Sequence, residues 1–424
     1  MKLNKFIMES NNVTKDSFIW NMIGSMIMAF QSVILLMILT RTVGLIESGI
    51  FTIAYANANL FLTIGKYGMR NFQVSDIKGE FSFREYKTSR IITVCTMIIL
   101  SLGYVLASAI VNEYSFEKSM IIIGMCIFKL PDAIEDVYYG EYQKCGRLDI
   151  ASKAMTLRLL FTLIIFSIII MISKNLLYAL FISSCVTFII MYIFIKWTYR
   201  KFKKTTEMQW RNVVRLLKNC FPLFAGSFLS FYIGNAPKYA IDFLLTDDLQ
   251  ACYGFLAMPV FVIGLLNGFI FNPMLFKLSC LWNEAKIKLF LKQVVMQIAI
   301  VAGITGVCIL GAYLIGIPVL SLLYNTNLSP YKTELLILLL GGGFLGLSGL
   351  LNAVIIIIRC QKNLLWVYLT VAIIAFFMSN PIVKKYRMMG ASILYMILML
   401  IICICFLLIF MSKIIKCYKK KKIV

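Results

Sequence analysis

Phe128-Lys129-Leu130-Pro131-Asp132-Ala133-Ile134-Glu135-Asp136-Val137-Tyr138-Tyr139 decides how the chain is read. It places a lysine and three carboxylates inside a run, 119–139, that is otherwise apolar and long enough for a helix. An ionisable side chain at the centre of a bilayer costs at least about 2.5–3.5 kcal/mol. A helix carrying four such groups must turn them toward protein or trapped water. Lys129, Asp132 and Asp136 follow i, i+3, i+7 and share one face, with Glu135 beside them. That face lines a hydrated transport cavity, forms an internal ion-pair network, or does both, and Pro131 can loosen the helix near Lys129.

Outward from this stretch the chain repeats one theme. Apolar runs fall near 18–39, 47–68, 91–111, 119–139, 154–173, 176–195, 221–244, 251–274, 293–316, 333–358, 363–383 and 390–412. Each approaches the roughly 20 residues a membrane helix needs. Hydrophobic residues make up 61% of the 424 and charged residues 14%, against about 25% charged in soluble domains. A soluble enzyme, a disordered chain and a nucleic-acid-binding domain are thereby excluded. The expected fold is an all-α polytopic membrane protein of about twelve transmembrane helices.

The formal charge of +23 has a membrane explanation. With both termini cytoplasmic, the termini and even-numbered connections hold 31 of the 42 Lys and Arg, and the odd ones hold 7. This is the asymmetry of cytoplasmic loops. Lys384, Lys385 and Arg387 are the local exception. The most basic connection, 196–220, divides the runs six and six, which predicts two lobes, 1–205 and 206–424. Residues 1–17 are polar and carry no cleavable-signal pattern. The C-terminal lysines from Lys413 to Lys422 suit a topology anchor or anionic lipid headgroups.

Catalytic chemistry is absent from the pattern. There is no His, which removes the commonest metal ligand. The twelve Cys form no CxxC pair and read as small apolar residues. No Walker motif appears, and neither a cofactor nor a metal is expected. Gly342-xxx-Gly346 reads as a close helix-packing surface.

Other charges recur inside the runs. Lys238 and Asp242 lie i, i+4 beside Pro237, which is expected to break span 7. The pair is either a ligand-facing element or self-satisfied. Arg158 sits one turn into span 5. Arg41 and Lys66 mark the ends of spans 1 and 2, where they either snorkel or face inward. Together Arg41, Lys66, Lys129, Arg158 and Lys238 suggest an anion-attracting interior. Asp132, Glu135, Asp136 and Asp242 are candidates to bind a coupling Na⁺ or H⁺, or to be salt-bridged.

Thr40-Arg41-Thr-Val-Gly44-Leu-Ile-Glu-Ser-Gly49-Ile-Phe51, then Gly65-Lys66-Tyr67-Gly68 and Ser75-Asp76, resembles the start of Wzx-type polysaccharide flippases. These belong to the multidrug/oligosaccharidyl-lipid/polysaccharide exporter superfamily. Tyr139-Gly140-Glu-Tyr-Gln143-Lys-x-Gly-Arg147 and Pro381…Tyr386…Gly390-Ala391 resemble that family's loop 4 and its span 11–12 turn. The resemblance implies two six-helix lobes in a V and alternating access around a central cationic cavity. It implies a cargo of undecaprenyl-diphosphate-linked oligosaccharide, flipped to the outer leaflet of a bacterial plasma membrane for surface polysaccharide assembly. Glycosyltransferases and a polysaccharide polymerase are the implied partners. Two other readings are weighed beside it: a multidrug/cation antiporter of the same fold, which favours an acidic cavity, and a membrane-embedded glycan polymerase, which usually needs sizeable extramembrane loops.

Overall fold

The computed structural model describes residues 2–76, 79–200, 202, 207–271, 274–284 and 286–421. The side chains of 2, 268–271, 276 and 416–421 lie outside that description, and with them most of the C-terminal lysine run. Every regular element among the described residues is helical. They are α1 (Lys2–Met8), α2 (Val13–Thr42), α3 (Leu45–Lys66), α4 (Met69–Ser75), α5 (Phe83–Val111), α6 (Phe116–Lys144), α7 (Leu148–Ser173), α8 (Leu176–Tyr199), α9 (Trp210–Leu244), α10 (Asp247–Phe271), α11 (Met274–Asn283), α12 (Ile287–Gly311), α13 (Ile317–Tyr324), α14 (Lys332–Ile357) and α15 (Lys362–Lys421).

Polar residues at the ends of the apolar runs start and stop these helices. Asn12, Ser115 and Asn175 each accept a hydrogen bond from a backbone N–H in the first turn of α2, α6 and α8. Ser82 and Glu85 form a reciprocal capping box on α5. Spans 5 and 6 are separated by one sharp turn, in which Lys174 takes a left-handed conformation (φ 48°) before Asn175 opens α8.

Among the described residues ten helical stretches are long and apolar enough to cross a membrane, so this is a multi-pass membrane protein. One of them, Lys362–Ile415, is two helices joined at Arg387, whose φ of 51° and ψ of −130° are not helical. The charged α6 is absent from the ten, although its 29 residues would span. Two expectations need correction. The helix of span 7 is not broken at Pro237: α9 runs unbroken through it. The helix of span 3 starts at Phe83, not near 91, which brings Arg90 from a loop into a buried helical turn. The expected lobe boundary at 205/206 lies outside the described residues. By packing, the chain divides inside α9, between Phe228 and Leu229.

In the first unit, α2 packs along α7 and α3 along α6. The approach is close: a Cβ on Gly24 would sit 2.6 Å from Thr156 Oγ1, and one on Gly65 would sit 2.8 Å from Met97 Sδ. In the second unit α14 is the hub, packed on α10, α12 and α15. Its glycines are the reason. A Cβ on Gly341 would lie 2.7 Å from the Tyr395 ring, and one on Gly342 would lie 2.9 Å from Val260. Gly343 abuts Thr305, and Gly346 abuts Asn267. Lipid offers no hydrophobic drive between helices, so such close backbone approach supplies the van der Waals contact that holds them.

Gly343→Val is expected to lower stability in detergent by about 1–3 kcal/mol, because Thr305 has nowhere to go. Gly306→Ala, in open space on α12, is expected to leave the thermal midpoint unchanged or raise it slightly. Paired thermal unfolding of the two variants checks this.

Candidate functional site

α6 stands against helices on several sides, and its charges are shared out among them. Lys129 is 2% exposed. Its ammonium donates to Gln31 Oε1 on α2 (2.8 Å) and to the Tyr55 hydroxyl on α3 (3.3 Å), and lies 3.4 Å from Asp132. Arg158 on α7, also 2% exposed, donates from Nη2 to Asp132 Oδ1 (2.5 Å) and Glu135 Oε1 (2.6 Å). Tyr139 closes the set by donating to Glu135 Oε2 at 2.9 Å. Lys129, Arg158, Asp132 and Glu135 therefore carry no net formal charge. Of the two sequence readings of this stretch, these contacts are those of the internal ion-pair network.

Asp136 does not join that set. It pairs with Arg90 on α5 at 2.7 Å, while Arg70 on α4 stands 3.8 Å away. Arg90 also donates to the Gly65 carbonyl at 2.5 Å and so covers the C-terminal end of α3. Sequence reasoning missed Arg90, Arg70, Gln31 and Tyr55. Both arginines read as topology charges, and no spacing rule links residues on different helices.

The polar layer continues beyond the helix ends. Gln73 donates to Glu141, and Arg70 donates to Gln143. Asp76 accepts from the backbone N–H groups of Glu80 and Phe81, from the Tyr86 hydroxyl and from Lys144. Burial alone would raise the pKa of this carboxyl. The two N–H groups and the Lys144 ammonium outweigh that effect and hold it below the ordinary value.

In the second unit the situation is reversed. Lys238 lies on α9 at the wall of a cavity of about 560 Å³, also lined by Asn235, Tyr253, Asn352, Tyr368 and Tyr395. Its ammonium makes no hydrogen bond or ion pair among the described residues, so the self-satisfied Lys238–Asp242 pair is not formed. The Tyr253 hydroxyl is buried and has no hydrogen-bond partner among the described residues. No carboxylate among the described residues lines this cavity. A cation beside an unpartnered hydroxyl, with apolar walls around, is an arrangement that takes an anion. Of the remaining sequence candidates, Arg41 is exposed in the last turn of α2, Lys66 half-buried at the end of α3, and Asp242 half-buried one turn beyond Lys238. Among the described residues no cluster suited to a metal ion occurs.

The chain superposes on an inward-facing multidrug resistance MATE family transporter of the MOP superfamily with a TM-score of 0.69, at 12% identity over 93% of this chain and 96% of that one. It superposes on the lipid II flippase MurJ, inward closed, with a TM-score of 0.68 at 14% identity, over 96% and 89% of the two chains. At these identities the likeness shows the shared fold. Residues 14–279 match the family described as polysaccharide biosynthesis protein, and the chain belongs to that family. It is also similar to the capsular polysaccharide biosynthesis protein CapF of Staphylococcus aureus, 25% identical over 280 residues, covering 64% of this chain and 69% of that protein.

Removing Arg158 leaves two buried carboxylates without their cation. Arg158→Ala is expected to cost about 3–5 kcal/mol of stability, and adding Asp132→Asn and Glu135→Gln should recover part of it, read by thermal unfolding in detergent. Asp76, with its lowered pKa, stabilises the fold above the ordinary carboxylate value near ~3.9. That contribution is lost as pH falls through its depressed folded value. Asp76→Asn should therefore lower the midpoint at neutral pH and narrow the gap to wild type at the lowest pH.

Proposed function

We propose that this protein is a transporter that flips an undecaprenyl-diphosphate-linked oligosaccharide from the inner to the outer leaflet of a bacterial plasma membrane, by alternating access, for surface polysaccharide assembly. The observation that carries the proposal is the unpaired Lys238 ammonium in its carboxylate-free cavity. A lysine and a phosphate about 4 Å apart gain roughly 4 kcal/mol at an effective dielectric of 20. The tyrosine and asparagine side chains around Lys238 are suited to the hydroxyl groups of a sugar. A cation antiporter of the same fold would favour acidic groups at this wall. The family match to polysaccharide biosynthesis supports the choice of cargo.

Taking α6 as a span and the two halves of α15 separately brings the ten apolar stretches to twelve spans, with both termini cytoplasmic. Lys129 and Arg158, committed to Asp132 and Glu135, serve the packing of the first unit. Lys238 binds the diphosphate, and Arg41 and Lys66, at the outer end of α2 and the inner end of α3, remain candidate cations for the cargo. Asp132, Glu135, Asp136 and Asp242 remain the candidates for the coupling ion, the first three of them in contact with cations. Glycosyltransferases and a polysaccharide polymerase are the expected partners, and the chain itself performs no catalysis.

In proteoliposomes, Lys238→Ala is expected to slow outward transfer of sugar-lipid about ten-fold or more, the loss of one charge-assisted hydrogen bond of about 1.5–3 kcal/mol. Lys238→Arg should restore most of it, and neither change should move the thermal midpoint. Normal surface polysaccharide in cells carrying Lys238→Ala at native expression would overturn the assignment.

A further inference from the structure

The outer wall of the second unit carries a feature that the Lys238 cavity does not use. Between α12 and α13 the helix passes through a π-turn at Ala312–Gly316. Such a turn widens the helix by one residue and is frequent at functional sites. Here it borders a crevice of about 240 Å³, walled by Pro259 and Val262 of α10, Gly311, Ala312 and Gly316, and Leu339 of α14. Every wall residue is apolar or small. The glycines matter: a Cβ on Gly311 would meet nothing within 4 Å, so its bare backbone opens the crevice. On the flank, Leu310, Leu314 and Ile315 are 65%, 72% and 61% exposed, as expected of residues that touch lipid chains.

The crevice lies within stretches apolar enough to span the bilayer. Its wall residues among those described are apolar or small and offer no polar side chain to hold water. A charge stands over the residue that follows the wall residue Ala312 in the chain. Tyr313, inside the π-turn and 54% exposed, lies under the ammonium of Lys332, which stands 3.8 Å from its ring centre. Lys332 opens α14, immediately after the turn of 325–331 that leads out of the apolar layer. An aromatic ring with an exposed lysine at the end of a membrane helix matches the level of lipid headgroups.

We propose that the π-turn crevice binds a membrane phospholipid with an anionic headgroup, one acyl chain lying against Gly311, Ala312 and Gly316 and the phosphate meeting Lys332. The apolar wall selects a hydrocarbon chain, and the lysine beside Tyr313 selects negative charge over a zwitterion. The site is separate from the Lys238 cavity: Pro259 and Leu339 line the one, and their chain neighbours Val260 and Leu338 line the other.

The test uses the full chain in detergent micelles supplied with phosphatidylglycerol or phosphatidylcholine, with retained lipid counted by native mass spectrometry. Wild type should retain phosphatidylglycerol in preference to phosphatidylcholine. Lys332→Gln should weaken phosphatidylglycerol retention about five-fold and leave phosphatidylcholine unchanged. Gly311→Leu fills the crevice at a position where a side chain meets open space, and should weaken retention of both lipids about ten-fold. An unchanged thermal midpoint in lipid-free detergent shows that each variant is folded. Retention of phosphatidylglycerol at wild-type levels in Gly311→Leu, or equal retention of the two lipids by wild type, would overturn the proposal.

Discussion

Arg158, held between Asp132 and Glu135 where almost no water reaches, is the interaction on which the first unit depends. A guanidinium in an apolar layer is tolerable only if its charge is met in place. The two carboxylates meet it, and Lys129 meets the remaining face of Asp132. Gln31 and Tyr55 take the other hydrogen bonds of Lys129. Four helices are thus tied to one another by a set of charges that sums to zero. Arg90 repeats the device with Asp136 and the Gly65 carbonyl.

The second unit is built on a different principle. Its hub, α14, attracts its neighbours through glycines that let backbones approach, not through charge. Among the described residues Lys238 is then the one cation on its cavity wall, and that wall offers it no carboxylate. In the first unit the α6 charges meet opposite charges, and in the second the Lys238 ammonium meets none among the described residues. On the proposed function, that difference separates residues that hold the fold from a residue positioned for cargo, which the sequence displays with the same letters.

Much of the architecture was legible because lipid imposes simple rules. Apolar length gave the helices, and the Gly342-xxx-Gly346 packing surface follows from the period of the helix. Span 4 was readable as a helix because its charges sit in an otherwise apolar run of spanning length. What those charges touch was not readable. Arg158 and Asp132 are 26 residues apart, and Arg90 and Asp136 are 46 apart, so their pairing is decided by helix packing and not by local spacing. Arg90 was hidden for a further reason: a capping box at Ser82 and Glu85 starts α5 before the apolar run begins. Pro237 misled in the opposite direction, since α9 passes through it unbroken. For Lys238, depth within the run was visible, but the absence of a partner is a property of the packed second unit.

The most direct measurement is a structure of the protein determined with undecaprenyl diphosphate bound. A phosphate oxygen within about 2.7–2.9 Å of the Lys238 ammonium, with Arg158 still shared by Asp132 and Glu135, is the predicted result. Phosphate density at Lys129 or Arg158, with Asp132 and Glu135 displaced and the Lys238 cavity holding no part of the ligand, would contradict the account.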